Sequence, residues 1–332
     1  MKLQRRLEKW QQRLAFCLVI AWIFGIAHNP SMAQSAEVWL DGLDPPARQK
    51  YFPGPPSSDY MDLFRENAPW SRAASIVKVF EVGPEFTVGE ASDQMLFQVA
   101  SNLKRRGIAL AIGAGWLPGS DTCGYHVEGF SHPGTGQAVA ERLQRLGVDV
   151  AYVVFDEPLY YGHQYDRKNG CRWSPDRVAR ELATSVKIFR QAFPSAQFCD
   201  AEPIAFPLSG GWTSKILQWT KSLQSATGVS LACFQTDMQW KGPWQQQLSE
   251  LKTSLRGAGI RLGVMYTGDE NARTGLEWVQ QSVQRARAVE ANPATAPDQA
   301  LLQSWMRQPD HMLPETQPGT MTNLVLEYAQ RR

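Results

Sequence analysis

The chain has little net charge, few cysteines and almost no long apolar run. Its 34 lysines and arginines nearly balance 32 aspartates and glutamates, leaving a formal net charge of +2. A nucleic-acid surface needs a basic patch that this balance does not supply, so no nucleic-acid partner is expected. Only five cysteines occur, and none shows the CxxC or Cys/His spacing of a zinc site. No GxGxxG follows the first strand pattern and no phosphate-cradling loop is present, so no cofactor is expected. Beyond the N-terminus no stretch is apolar for long enough to span a membrane. Low-complexity tracts and internal repeats are also missing.

What is there begins with an export pattern. Lys2, Arg5, Arg6, Lys9 and Arg13 form a basic region, Leu14 to Ala27 an apolar run, and Ser31-Met32-Ala33 a small-x-small cleavage site. Residues 1–33 therefore read as a signal peptide and 34–332 as the mature chain, periplasmic or extracellular, with an uncleaved anchor as the alternative. Export changes how the cysteines read. Cys17 leaves with the signal; Cys123 and Cys171 lie in glycine-containing loops after successive strands and can bridge in an oxidising compartment. Cys199 and Cys233 sit inside strand-like runs and are expected to be buried thiols.

The mature chain alternates strand and helix patterns. Ala151-Tyr152-Val153-Val154-Phe155 is a continuous apolar run of the kind seen in buried parallel strands, and it ends in Asp156-Glu157-Pro158. Proline cannot donate to a strand ladder, so both carboxylates sit at the strand's carboxyl end. Around it the β-then-α unit recurs eight times, from Val38-Trp39-Leu40 to a last helix over 319–329. That rhythm predicts an α/β fold, a single-domain (β/α)8 TIM barrel, over an open doubly wound sheet as the rival.

Active sites of such barrels lie at the carboxyl ends of the strands. Side chains alternate faces along a strand, so Asp200 and Glu202 share one face with Phe198, and that face is expected to be the barrel interior. Gln235 and Asp237 share a face, as do Thr267 and Asp269, and Gln303 and Trp305. Lys78, in SIVKVFEV (75–82), is expected to find an anionic partner in the acidic lumen. Aromatic residues follow the same strand ends: Trp116, Tyr160, Tyr161, Phe206, Trp212, Trp240, Tyr266 and Trp305. Rings stack on the apolar faces of sugars while carboxylates bond their hydroxyls, so an acidic cup rimmed with aromatics suits a carbohydrate or another small polar substrate. Through cation–π contacts it also suits a cation.

Asp156-Glu157-Pro158 resembles the Asn-Glu-Pro that ends the fourth strand of clan A glycoside hydrolases, with Asp in place of Asn. The resemblance implies that Glu157 is the acid/base of a retaining barrel glycosidase. It also implies a second carboxylate at the end of strand seven, where Asp269 and Glu270 stand. The chain is similar as well to exported bacterial barrel proteins, a likeness that brings no activity with it. From the residues alone a competing pair exists, because Ala201-Glu202-Pro203 repeats the Glu-Pro ending next door. Two carboxyl groups side by side push one pKa up, which keeps one protonated to act as acid. Two other readings stay open. One is a divalent-metal-dependent barrel enzyme using Glu157, Asp200, Glu202 and Asp237. The other is a non-catalytic carbohydrate-binding barrel.

Overall fold

A computed structural model of the protein describes residues 35–54, 59–204 and 211–330. The proposed signal segment, and Phe206, lie outside those residues. Eight parallel strands close into a barrel in chain order: β1 Glu37–Leu40, β2 Val79–Val82, β3 Ala109–Ala114, β4 Tyr152–Asp156, β5 Gln197–Ile204, β6 Cys233–Met238, β7 Arg261–Met265 and β8 Gln299–Leu302. Outer helices follow them: α1 Ser71–Ile76, α2 Asp93–Arg106, α3 Thr135–Arg145, α4 Pro175–Ala192, α5 Trp212–Thr227, α6 Trp244–Gly257, α7 Gly275–Glu290 and α8 Met321–Gln330. The helix that precedes β2, α1, is the first of the set. The fold is thus the (β/α)8 barrel that the alternation predicts.

The helix boundaries follow from local chemistry. The Ser92 hydroxyl accepts the Met95 N–H at the start of α2, and Gly107 closes that helix at φ 70°. Ser174 accepts the Arg177 N–H ahead of Pro175, and Thr274 accepts the Glu277 N–H at α7. Between strands and helices lies one apolar layer that contains Trp219, Trp278, Phe155 and Phe189, all wholly buried. Truncating one such ring to alanine costs about 3–5 kcal/mol. A smaller cluster fills the barrel itself: Trp39, Val79, Val154, Cys199, Ala201, Cys233, Met265 and Leu301 among others.

These two clusters fix which side chains face the lumen, and they correct the reading for β5. Cys199 and Ala201 point inward, so Phe198, Asp200 and Glu202 point outward into the helix layer. Carboxylates are rarely buried without partners, which favoured the open lumen. In fact both found partners in the layer. Trp219 Nε1 donates to Asp200 at 2.7 Å, and Glu202 accepts two backbone N–H groups. Lys78 is corrected too. Residues 71–76 are helical, so the strand starts only at Val79, and Lys78 is exposed before it with Nζ 3.4 Å from the Ser75 carbonyl. Glu81, not Lys78, is the charged residue that β2 turns to the lumen, in phase with the inward Val79.

Cys123 and Cys171 are bonded, tying the loop after β3 to the loop after β4. Cys199 and Cys233, expected as thiols, are also bonded. They are direct register partners on adjacent strands, both facing the lumen with Cα atoms 4.6 Å apart, a separation that suits a bridge. Among the described residues no helix is long and apolar enough to cross a membrane.

Candidate active site

The mouth of the barrel is acidic because strand alternation brings carboxyl groups up on alternate strands. Asp41 follows β1, Glu81 stands on β2, Asp156 ends β4 and Asp237 lies near the end of β6; each is in phase with an inward residue of its own strand or register. Glu81 is buried, and the other three are half-buried. Burial is the main force raising each of them above the usual carboxylate range. Glu81 is pushed up to about 8, with repulsion from Asp156 second. Asp156 is also pushed to about 8, with Glu128 second, and Asp237 to about 7, again with Glu128 second. Asp41 is raised by burial and then by Glu81; the Gln303 amide donates to it at 2.9 Å.

Glu157 breaks the alternation. Its φ of 49° lies in the left-handed region, where a non-glycine residue costs about 1–3 kcal/mol. Its N–H donates to the Ala201 carbonyl at 3.0 Å, and its own carbonyl accepts the Tyr161 N–H at 2.9 Å. The half-buried side chain makes no hydrogen bond or ion pair among the described residues. Burial raises its pKa well above the ordinary value, followed by repulsion from Asp237 and then Glu202.

Glu202 has a different environment. It is wholly buried, and its two carboxyl oxygens accept the N–H groups of Leu159 at 2.6 Å and Tyr160 at 2.9 Å. Both oxygens are therefore spent on the turn that follows Glu157. Burial still raises its pKa, against the lowering effect of those two N–H groups.

β7 ends at the inward Met265, and Thr267 and Asp269 follow it in phase. Thr267 is buried and accepts the Trp240 indole N–H at 3.1 Å. Asp269 accepts from the Asn271 backbone and side chain, at 3.0 and 3.2 Å, and lies 3.8 Å from Arg285. The Asn271 N–H is the chief reason its pKa is held below the usual range. Glu270 is exposed on the rim.

The aromatic residues divide. Trp116 is buried against Phe189 and Phe155, and Tyr266 is buried between Trp240 and Tyr328; both belong to the helix layer, not to the mouth. Trp212 is buried, donating to the Pro203 carbonyl. Tyr160 and Tyr161 are half-buried edge-to-face in the loop after β4, and Tyr161 donates to Glu128. Trp240 is half-buried, and Trp305 is 39% exposed. Asp41, Glu81 and Glu128 are mouth residues that sequence reasoning passed over. Counting alternation inward from Trp39 and Val79 would have found the first two; Glu128 sits on a loop, where no periodicity applies. Among the described residues no cluster of three or more His, Cys, Asp or Glu has the arrangement of a metal site.

No protein-family model matches the chain, and no curated protein matches it in sequence. Solved structures do match it in fold. Native xylanase 10B from Thermotoga maritima is 9% identical, with 80% of this chain and 91% of that chain covered and a TM-score of 0.51. A GH5_18 protein from Streptomyces cattleya in complex with GlcNAc is 13% identical, covering 90% of this chain and 80% of that one, with a TM-score of 0.53. A mutant of P. fluorescens subsp. cellulosa xylanase A in complex with xylopentaose is 12% identical, covering 90% and 99%, also at 0.53. All three share the (β/α)8 barrel with this chain. At such low identity the likeness is one of fold.

Proposed function

We propose that the chain is a glycoside hydrolase in which Glu157 is the general acid and Asp237 the second carboxylate. The observation that carries this reading is the unequal pair of environments at the ends of β4 and β6. Glycoside hydrolysis needs one carboxyl group protonated and one ionised on either side of the scissile bond. Asp237, pushed only to about 7, gives up its proton first. The negative charge it then carries adds to the burial that keeps Glu157 protonated. Glu157 donates its proton to the leaving oxygen as the bond breaks, and Asp237 attacks the sugar carbon or activates a water. Glu202 is a poorer second carboxylate, since both its oxygens already hold backbone N–H groups. Asp269 is tied to Asn271 and Arg285. Tyr160, Trp240, Gln303 and Trp305 are the side chains we assign to sugar contact. The N-terminal pattern and the two disulfides accord with an exported barrel.

A screen of β-linked glycans, beginning with xylan and mannan, tests the activity. An activated aryl glycoside, whose leaving group needs no protonation, then separates the two roles. Glu157→Gln should hydrolyse the activated glycoside far better than a natural glycan, whereas Asp237→Asn should lose both. Equal loss on both substrates in Glu157→Gln, or full activity in Asp237→Asn, overturns the assignment. Activity should rise as Asp237 ionises near pH 7 and fall only when Glu157 deprotonates above that.

A further inference from the structure

We infer that the sugar held in the barrel mouth carries a positive charge: the substrate is an amino sugar with a free ammonium group rather than its N-acetylated, neutral or acidic counterpart. This rests on the glycosidase reading above and names its substrate class. Hydrolysis occupies two carboxyl groups, Glu157 and Asp237. Three more, Asp41, Glu81 and Asp156, stand on the lumen side with no part in that chemistry. Among the described residues no lysine, arginine or histidine pairs with any of the five.

A second, independent feature lies beneath them. Gln235 is wholly buried on the lumen side of β6, two residues below Asp237 and in phase with it. Neither its amide oxygen nor its amide nitrogen has a partner among the described residues. Its Cγ lies over Gly263, where a Cβ would come within 3.1 Å, so the side chain fills space that glycine leaves inside the barrel. A buried amide with both ends unpaired is costly, and it marks a place where a polar ligand group or a water completes the bonding. An ammonium has three N–H donors and no acceptor, which matches carboxyl oxygens joined by one amide oxygen.

The electrostatics point the same way. Burial raises all three; Glu81 and Asp44 then raise Asp41, Asp156 raises Glu81, and Glu128 and Glu85 raise Asp156. Among the described residues the offsetting cation is Lys50, bonded to Glu85 at the rim, which acts weakly on Asp156. A neutral sugar leaves this repulsion as it is, and a uronic acid worsens it. An ammonium relieves it and allows one of the protonated carboxyl groups to ionise, so binding should release a proton.

Calorimetric titration of the wild-type protein at mildly acidic pH, where the sugar amine is already fully protonated, tests this, in two buffers of different ionisation enthalpy. The probes are a β-linked glucosamine oligosaccharide, its N-acetylated form and a cello-oligosaccharide. The glucosamine oligomer should bind at least about 10-fold more tightly than the other two and release a proton. Glu81→Gln with Asp156→Asn should weaken that binding and abolish the proton release. Equal or tighter binding of the N-acetylated or neutral oligomer, binding without proton release, or no binding of the glucosamine oligomer overturns the inference. Hydrolysis of a neutral glycoside with no preference for the amine defeats the inference alone. Amine binding with proton release but no cleavage of any glycoside defeats the glycosidase reading and leaves the cation preference standing.

Discussion

Two Glu-Pro strand ends sit side by side in this barrel and have opposite fates. At the end of β4, Glu157 bends out of the strand's alternation at φ 49°, and its carboxyl group has no hydrogen bond among the described residues. At the end of β5, Glu202 keeps the alternation, points into the helix layer, and is bonded through both oxygens to the N–H groups of Leu159 and Tyr160. The two are coupled parts of one device. Glu202 grips the two residues that follow Pro158, and so holds the turn that keeps Glu157 in its strained conformation. The same dipeptide thus supplies the proposed general acid in one place and its brace in the other. The difference comes from which face of the sheet each strand presents.

The largest way to test that contrast is to remove each carboxylate in turn and measure kcat. Glu157→Gln should lower kcat on a natural glycan at least about 100-fold while leaving the melting temperature nearly unchanged. Glu202→Gln should cost much less, about 10-fold, and shift the alkaline limb of the pH–rate profile, because Glu157 loses a charged neighbour. Equal losses in the two variants would merge the roles.

Stability should show the reverse order. Glu202→Ala leaves the Leu159 and Tyr160 N–H groups unpaired at the edge of the helix layer, at about 1–3 kcal/mol for each buried group. Urea denaturation of Glu202→Ala and Glu157→Ala should find the former clearly less stable. A smaller effect belongs to the lumen acids. Glu81 and Asp156 hold their protons up to about 8 in the folded chain, far above the unfolded value. The folded state thus binds protons more tightly, and the stability this gives is complete below about pH 4 and lost as pH rises towards 8. The melting temperature should fall by several degrees between about pH 5 and about pH 9, and Glu81→Gln should flatten that fall. A flat wild-type profile would mean the lumen acids are not held protonated. The smallest effect is expected at Trp305→Ala, with a few-fold loss of glycan affinity and an unchanged melting temperature, since that ring is 39% exposed.

The barrel was legible because each β/α unit carries its own punctuation: Ser92 and Gly107 bound α2, and Ser174-Pro175 opens α4. Glu157 and Asp237 could be singled out for the same reason, since each ends a recognisable strand pattern. The faces of β5 could not. Nothing along the chain says that Asp200 will meet the Trp219 indole or that Glu202 will meet two N–H groups from the preceding loop, because those partners come from other elements. The same limit applied to Trp116 and Tyr266, which follow strands yet turn back to pack on helices. It applied to Cys199 and Cys233, whose pairing is a matter of strand register that no single strand displays. Lys78 was misplaced because an apolar run that looked like one long strand is divided between α1 and β2.

A closed sheet has no free edge, so it can come apart only after a seam tears. The Cys199–Cys233 bond is a covalent rung between β5 and β6, which pair from that rung upward to Ile204 and Met238. The β1–β2 seam has no such rung and pairs at Trp39–Val79 and Leu40–Phe80. The barrel should therefore open first between β1 and β2, on the side that carries Asp41 and Glu81. Glu157, Glu202 and Asp237 ride on the riveted side, and would keep their mutual positions through openings that part Asp41 from Glu81.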